Sequence, residues 1–185
     1  MPLSKKMHEL VEAISRSRQS LLKHVSGLSD AQLSYKPEDG EWSLNDILHH
    51  LALTDEANGK LTSRALKHAQ ERSVSPDPTP DGSVLHCLDE AAASISNTRA
   101  QAPDFVRPLS HLSAPESLAR LTASRERMLQ SIEQLSVYDL TQLKYPHPVL
   151  GDLDMYQWIL IAGGHEGRHV GQIKRIKAEP GFPAN

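Results

Sequence analysis

Apolar residues recur at three- and four-residue spacing in four long stretches of this chain, the spacing of amphipathic helices. The first covers residues 3–25, with Leu3, Met7, Leu10, Val11, Ile14, Leu21, Leu22 and Val25 as its stripe, and Gly27 ends it. Leu28-Ser29-Asp30-Ala31-Gln32-Leu33 reads as a short capped turn, and residues 35–40 as a loop. Ser43 followed by Asp46 is a capping box, so a second helix starts there and runs to about Arg72. Leu44, Ile47, Leu48 and Leu51 mark its buried face. The Pro- and Asp-rich stretch 75–82 is a break, and 83–100 is again helical in composition. Pro103 and Pro108 bracket an irregular piece. Ser113 with Glu116 opens a third long helix, reaching about Leu135. Residues 145–151 read as a stiff, proline-bearing loop, and 154–177 as the last helix. Four long amphipathic helices and one shorter insertion predict an all-α helical bundle. The length, 185 residues, suits a single domain over 1–185.

Composition narrows the class. Aromatic residues make up 4%, and small aliphatic side chains dominate, which again favours helices. A net charge of −3 argues against a nucleic-acid surface. Lys174, Arg175 and Lys177 cluster at a helix end, where cations offset the dipole. Cys87 is the only cysteine, so a disulfide framework is excluded and the residue reads as small core filler. No apolar run is long enough to span a bilayer, and the chain is expected to be cytoplasmic, with no membrane partner.

The candidate chemistry is His165-Glu166-Gly167-Arg168-His169 on the last helix. Two histidines four apart lie on one helix face, roughly 6 Å apart along the axis, and can reach one metal ion. A catalytic divalent ion usually takes three protein ligands and keeps a position open. The string fits H-E-x-x-H, but the zinc-protease reading fails: Arg175 stands six residues past His169, and the tail beyond offers only Glu179. The third ligand must come from upstream. On the second helix His50 lies roughly 110° from the centre of the apolar face, at the core's edge, and His49 roughly 150°, toward solvent. Glu166 sits about 80° around its helix from the histidine pair, which suits a supporting role better than a general base. Gln172 stands near the histidine face, either behind a ligand or simply polar. His147, in the loop before the last helix, is either a candidate substrate contact or a solvent-exposed loop residue. Trp42 reads as a hydrophobic staple at the helix entry. His8, His24, His68, His86 and His111 read as surface or boundary residues, and Asp55 and Glu56 as a solvated pair.

Taken in order, Trp42, Ser43, Asp46, His50 and Leu51, then His165, Arg168, His169 and Gln172, resemble the paired motifs of the DinB/YfiT-like superfamily. His147-Pro148 with Gly151 and the 28–33 turn with Pro37 are similar to it too. The resemblance is weakest between Val74 and Leu112, which read as a helical insertion. It implies an up-down-down-up four-helix bundle, a metal site at His50, His165 and His169 holding nickel, zinc or a similar ion, and a homodimer. It leaves three functions open. The first is transfer of a low-molecular-weight thiol (bacillithiol, mycothiol or glutathione) to a small-molecule electrophile. The second is metal-dependent hydrolysis. The third is a non-enzymatic stress-response role with a structural metal.

Overall fold

The computed structural model describes residues 3–38, 41–84, 102–108 and 112–184. The reading of 83–100 as helical, Cys87, His86 and His111 lie outside them, apart from Ser83 and Val84. Helix α1 is Lys5–Val25, α2 the short Asp30–Ser34, α3 Leu44–Glu71, α4 Ala114–Leu135 and α5 Met155–Lys177. The expected capping boxes at Ser43/Asp46 and Ser113/Glu116 both form. Two more start α2 (Ser29/Gln32) and α5 (Asp154/Gln157). Each satisfies backbone N–H groups that a helix start leaves unpaired. After α1, Gly27 takes φ +75°, open to glycine without steric cost.

Cross-helix contacts give the topology. Ser17 meets Glu166 and Lys177 reaches the His24 carbonyl, so α1 and α5 run parallel. Ser63 meets Ser131 and Arg120 pairs with Glu56, so α3 and α4 are parallel as well. Met7 and Leu10 near the start of α1 cluster with Ala65 and Ala69 near the end of α3, and Leu21 and Val25 with Leu44 and Leu48 near its start, which sets the two pairs antiparallel to each other. The bundle is therefore up-down-down-up, as the family resemblance implied.

Its core falls into two apolar clusters. One gathers Met7, Leu10, Ile14, Met128, Ile132 and Ile159, and the other Leu21, Leu44, Leu48, Leu121, Val170 and Ile173. Between them lies a layer of buried charge with one residue from each long helix. Arg18 bonds Glu166 and Asp55, and Arg125 bonds both carboxylates through Nη2 at 3.1 Å each. Asp55 is 5% exposed, not part of a solvated pair. The guanidinium groups that neutralise it come from α1 and α4, so the pattern of α3 alone carries no sign of them. Glu56 beside it does keep partial exposure and pairs loosely with Arg120 at 3.8 Å.

The proline-bearing segment before α5 is not a plain loop. Strands β1 (Lys144–His147) and β2 (Gly151–Asp154) form an antiparallel hairpin, registered Lys144 to Asp154 and His147 to Gly151. Gly151, at φ +76°, closes the three-residue turn. Strands of four residues, one with Pro146 at its second-to-last position, are too short to show an alternation in sequence. The hairpin hangs over the α3–α5 groove: Trp158 Nε1 donates to the Tyr145 carbonyl, and Tyr145 reaches His68 at 2.9 Å.

Candidate metal centre

The groove between α3 and α5 brings together His50, His165 and His169, with their ligating nitrogens all within 4.8 Å of one another. His50 Nε2 lies 3.3 Å from His165 Nε2, and His169 Nε2 lies 3.2 Å from the same atom. Four nitrogens placed tetrahedrally at 2.0–2.1 Å around a zinc ion would stand about 3.3 Å apart. The separations fit one divalent ion.

Tautomers strengthen the fit. His50 Nδ1 lies 2.7 Å from the Val106 carbonyl, which can only accept, so Nδ1 carries the proton and Nε2 offers a lone pair. His169 Nδ1 likewise meets Gln172 Oε1 at 2.9 Å. His165 Nε2 faces both lone pairs with at most one proton to give, and Arg168 Nη2 lies 3.1 Å from the lone pair on His169 Nε2; a cation among the three nitrogens would satisfy them together. Burial pushes all three imidazoles toward the neutral, ligating form. His165 is held well below the usual histidine range by burial, then by the charges of His169 and His50. His169 is lowered to about 3 by burial, with Arg168 adding to it. His50 is lowered by burial, against the opposing pull of the Val106 carbonyl.

Each backing group has a source in the chain. Gln172 is one turn past His169 on α5 and fixes its ring, the supporting role open to it from sequence. Val106 belongs to a 3-10 turn, Asp104–Val106, within the segment where the family resemblance was weakest. A backbone carbonyl has no side-chain signature, so sequence gave no hint of it. Trp42 does more than staple a helix entry. Its ring stacks on His169, centroids 6.2 Å apart, and lies 4.8 Å from the His50 ring. His49 is buried at 3% exposure, contrary to the solvent-facing position expected. Helix α3 packs against α2, α4, α5 and the 3-10 turn, which leaves little solvent face at that level. It is still His50, not His49, that joins the cluster.

Glu166 takes no part in the cluster. Ser17, Arg18 and Arg125 hold its carboxylate in the buried charge layer. It braces the helix that carries the histidines and is not placed to act as a base on their open side.

The histidines line a cleft of about 1040 Å³, walled also by Trp42, Trp158, Tyr145, Phe105 and the hairpin. His147 lines it, with its ring 4.9 Å from Trp158. Its Nδ1 accepts from the Val149 and Leu150 amides, so in the neutral ring Nε2 is the donor. Burial lowers the His147 pKa, which favours that neutral form. No Asp or Glu lines the cleft among the described residues. No described helix is long and apolar enough to cross a membrane.

Comparisons with known proteins give the family and the fold. The chain is 32% identical over 154 residues to the uncharacterized protein YuaE of Bacillus subtilis (strain 168), covering 83% of this chain and 88% of that one. A solved structure, TT2238, described as a four-helix bundle protein, superposes with a TM-score of 0.62 at 20% identity, over 92% of this chain and 99% of that one. At that identity the likeness speaks for the fold alone. The model of the DinB superfamily matches residues 13–173, nearly the whole bundle with all three clustered histidines, and the chain belongs to that superfamily.

Proposed function

We propose that this protein is a divalent-metal enzyme that transfers a small thiol to a small electrophile, with His50, His165 and His169 holding zinc or nickel. One observation carries the reading. Three neutral imidazoles converge on the wall of an open cleft that offers no carboxylate base among the described residues. An ion bound there lowers the pKa of a thiol or water in its open position. A thiol reaction then needs no protein base, which suits a cleft without one. A thiol releases its proton to solvent, its sulfur bonds to the electrophilic carbon, and the leaving group departs with the bonding pair.

The chain's own residues supply position and shelter. Trp42 and Trp158 wall the cleft and limit water. His147 presents its Nε2 proton as a donor that can orient an acceptor on the electrophile. Gln172 and the Val106 carbonyl hold two imidazoles in the tautomer that ligates, as carboxylates and carbonyls do behind many metal-bound histidines. A closed fourth protein ligand would favour a purely structural metal. Among the described residues, the cluster has three members.

The test is a panel of electrophiles offered with glutathione, bacillithiol and mycothiol, comparing wild type with His165→Ala. Turnover that needs both a thiol and the metal is expected. Thiol-dependent turnover that persists without metal would overturn the mechanism. Metal-dependent cleavage of esters or amides without thiol would replace it with a hydrolase. Silence in both panels, on metal-loaded protein, would leave the metal a structural part of a stress-response protein.

A further inference from the structure

The cleft's charge is at odds with that of the chain. The protein carries a net charge of −3, yet Arg64, Arg107 and Arg168 all line the cleft, with no acidic side chain among its described lining residues. Arg107 is already matched: its Nε lies 3.2 Å from Asp104. Arg64 lies over the Tyr145 ring, 5.2 Å from its centroid, and Arg168 stands beside the histidines. Neither has a carboxylate partner among the described residues.

Arg168 is the informative one. Among the described residues, one nitrogen of its guanidinium, Nη2, is engaged, 3.1 Å from His169 Nε2. That lone pair is the one a metal would take, so a bound metal would release the tie that the described residues give the arginine. The freed fork is planar, exposed to the cleft and matched in shape to a carboxylate.

The rest of the cleft is aromatic and apolar. Both tryptophans of the chain line it. Of the large apolar side chains most exposed to solvent, Phe105 at 70% and Val149 at 48% stand on its rim. Exposed apolar surface around a concave site marks a ligand with an apolar body.

From this juxtaposition we infer that the cleft takes a small organic carboxylate with an aromatic or apolar body, and that Arg168 binds its anionic group beside the three histidines. The inference deepens the proposed function by naming the substrate class of the same site. An aromatic body packs between Trp42, Trp158 and Phe105. The carboxylate lies against the Arg168 fork, with the reacting end of the molecule toward the histidines.

The experiment is calorimetric titration of zinc-loaded and of chelator-treated protein with phenylacetate, 3-phenylpropionate and 2-naphthoate. The uncharged 2-phenylacetamide is the isosteric control. Zinc content is measured separately by elemental analysis. Wild type should bind at least one of the carboxylates, and bind phenylacetate more tightly than the amide. Arg168→Gln should weaken carboxylate binding by about 10- to 100-fold, the loss of a charged hydrogen-bonded pair. Arg168→Lys should restore part of it. Zinc content and melting temperature should not fall in either variant, because the arginine competes with the metal for His169. Equal affinity for acid and amide, no binding of any of the three acids, or an Arg168→Gln variant that binds phenylacetate as wild type does would each overturn the inference. So would loss of zinc in Arg168→Gln, which would make the arginine a part of the metal's support. A protein that takes up no zinc yet still discriminates acid from amide through Arg168 would refute the metal reading and leave this one standing.

Discussion

At the residue scale, the three histidines are distinguished by what stands behind them. His50 and His169 each give their Nδ1 proton to an oxygen and present Nε2 to a common point. Single changes of His50, His165 or His169 to Ala should each abolish stoichiometric metal binding, read by elemental analysis after dialysis, while His147→Ala should leave it intact. Gln172→Ala should weaken metal affinity by about 10- to 100-fold, the usual effect of removing a group that orients a metal-bound histidine; competition with a chromogenic chelator measures it. The same burial sets a pH dependence in the metal-free protein. An ordinary imidazole takes a proton near 6.5, but folded His169 does so only near 3, and His50 and His165 are also lowered. Between those values the unfolded chain binds more protons than the folded one, so stability must fall as pH falls through that window. Urea denaturation of chelator-treated protein near pH 7 and near pH 5 should show the loss, and His169→Gln should reduce it. The clustering of these three histidines was legible because a helix face fixes direction: His165 and His169 at four-residue spacing, and His50 at the edge of the α3 stripe. The same arithmetic misplaced His49 and Asp55, because solvent exposure depends on neighbouring helices that one helix's periodicity does not encode.

At the element scale, the four long helices were plain from apolar spacing, and the starts of α3 and α4 from their capping pairs. The hairpin was not, since two four-residue strands around Pro146 and Pro148 carry neither length nor alternation. The charge layer was equally hidden: Arg18, Asp55, Arg125 and Glu166 are scattered over 149 positions and meet only once the bundle has closed. With one charge from each helix, the layer fixes how the helices rotate and slide against one another. Two parallel helix pairs lack the short connections that set register in antiparallel neighbours, so a buried, directional network is a physical means of choosing it. Replacing Glu166 by Gln leaves two buried guanidinium groups facing one carboxylate. Breaking a buried ion pair from one side costs about 3–5 kcal/mol, and a loss of that order is expected from denaturant titration. The folded fraction of Glu166→Gln should still bind one metal ion, since the carboxylate points away from the histidines; a variant that is stable but metal-free would contradict that division of labour. The α1–α5 contact is set by a glycine in the same way. A Cβ on Gly163 would meet Ile14 Cγ2 at 3.2 Å and its Cα at 3.3 Å, so the helices approach there more closely than side chains allow. Gly164, one residue on, has nothing within 4 Å. Gly164→Ala should therefore stabilise the protein by about 0.5–1 kcal/mol through helix propensity, and Gly163→Leu should destabilise it, as thermal melts would show.

At the scale of the whole molecule, the candidate metal centre lies at the seam between the two parallel helix pairs. Helices α1 and α5 pack along their length as one parallel pair, and α3 and α4 as another. His50 belongs to the second pair and His165 and His169 to the first, so an ion shared among them bridges the two. The hairpin and the Asp104–Val106 turn close over the same seam and contribute the remaining cleft walls. On the proposed reading an ion held there would serve both as a place for chemistry and as a clamp, and a clamp has a thermodynamic signature. A ligand that binds only the folded state adds RT ln(1 + [L]/Kd), about 2.7 kcal/mol at a hundredfold excess over Kd. For a domain of this size a kilocalorie per mole moves the melting temperature by roughly 2–4 °C, so full metal loading should raise it by about 5–11 °C. The comparison is protein shown by elemental analysis to hold one equivalent of zinc, melted with and without EDTA. His165→Ala should melt at the same temperature in both conditions, which separates loss of the clamp from any unspecific action of the chelator. If the loaded wild type also melts unchanged in EDTA, the ion does not bridge α3 and α5, and the three histidines must be reread as a hydrogen-bonded cluster of the core.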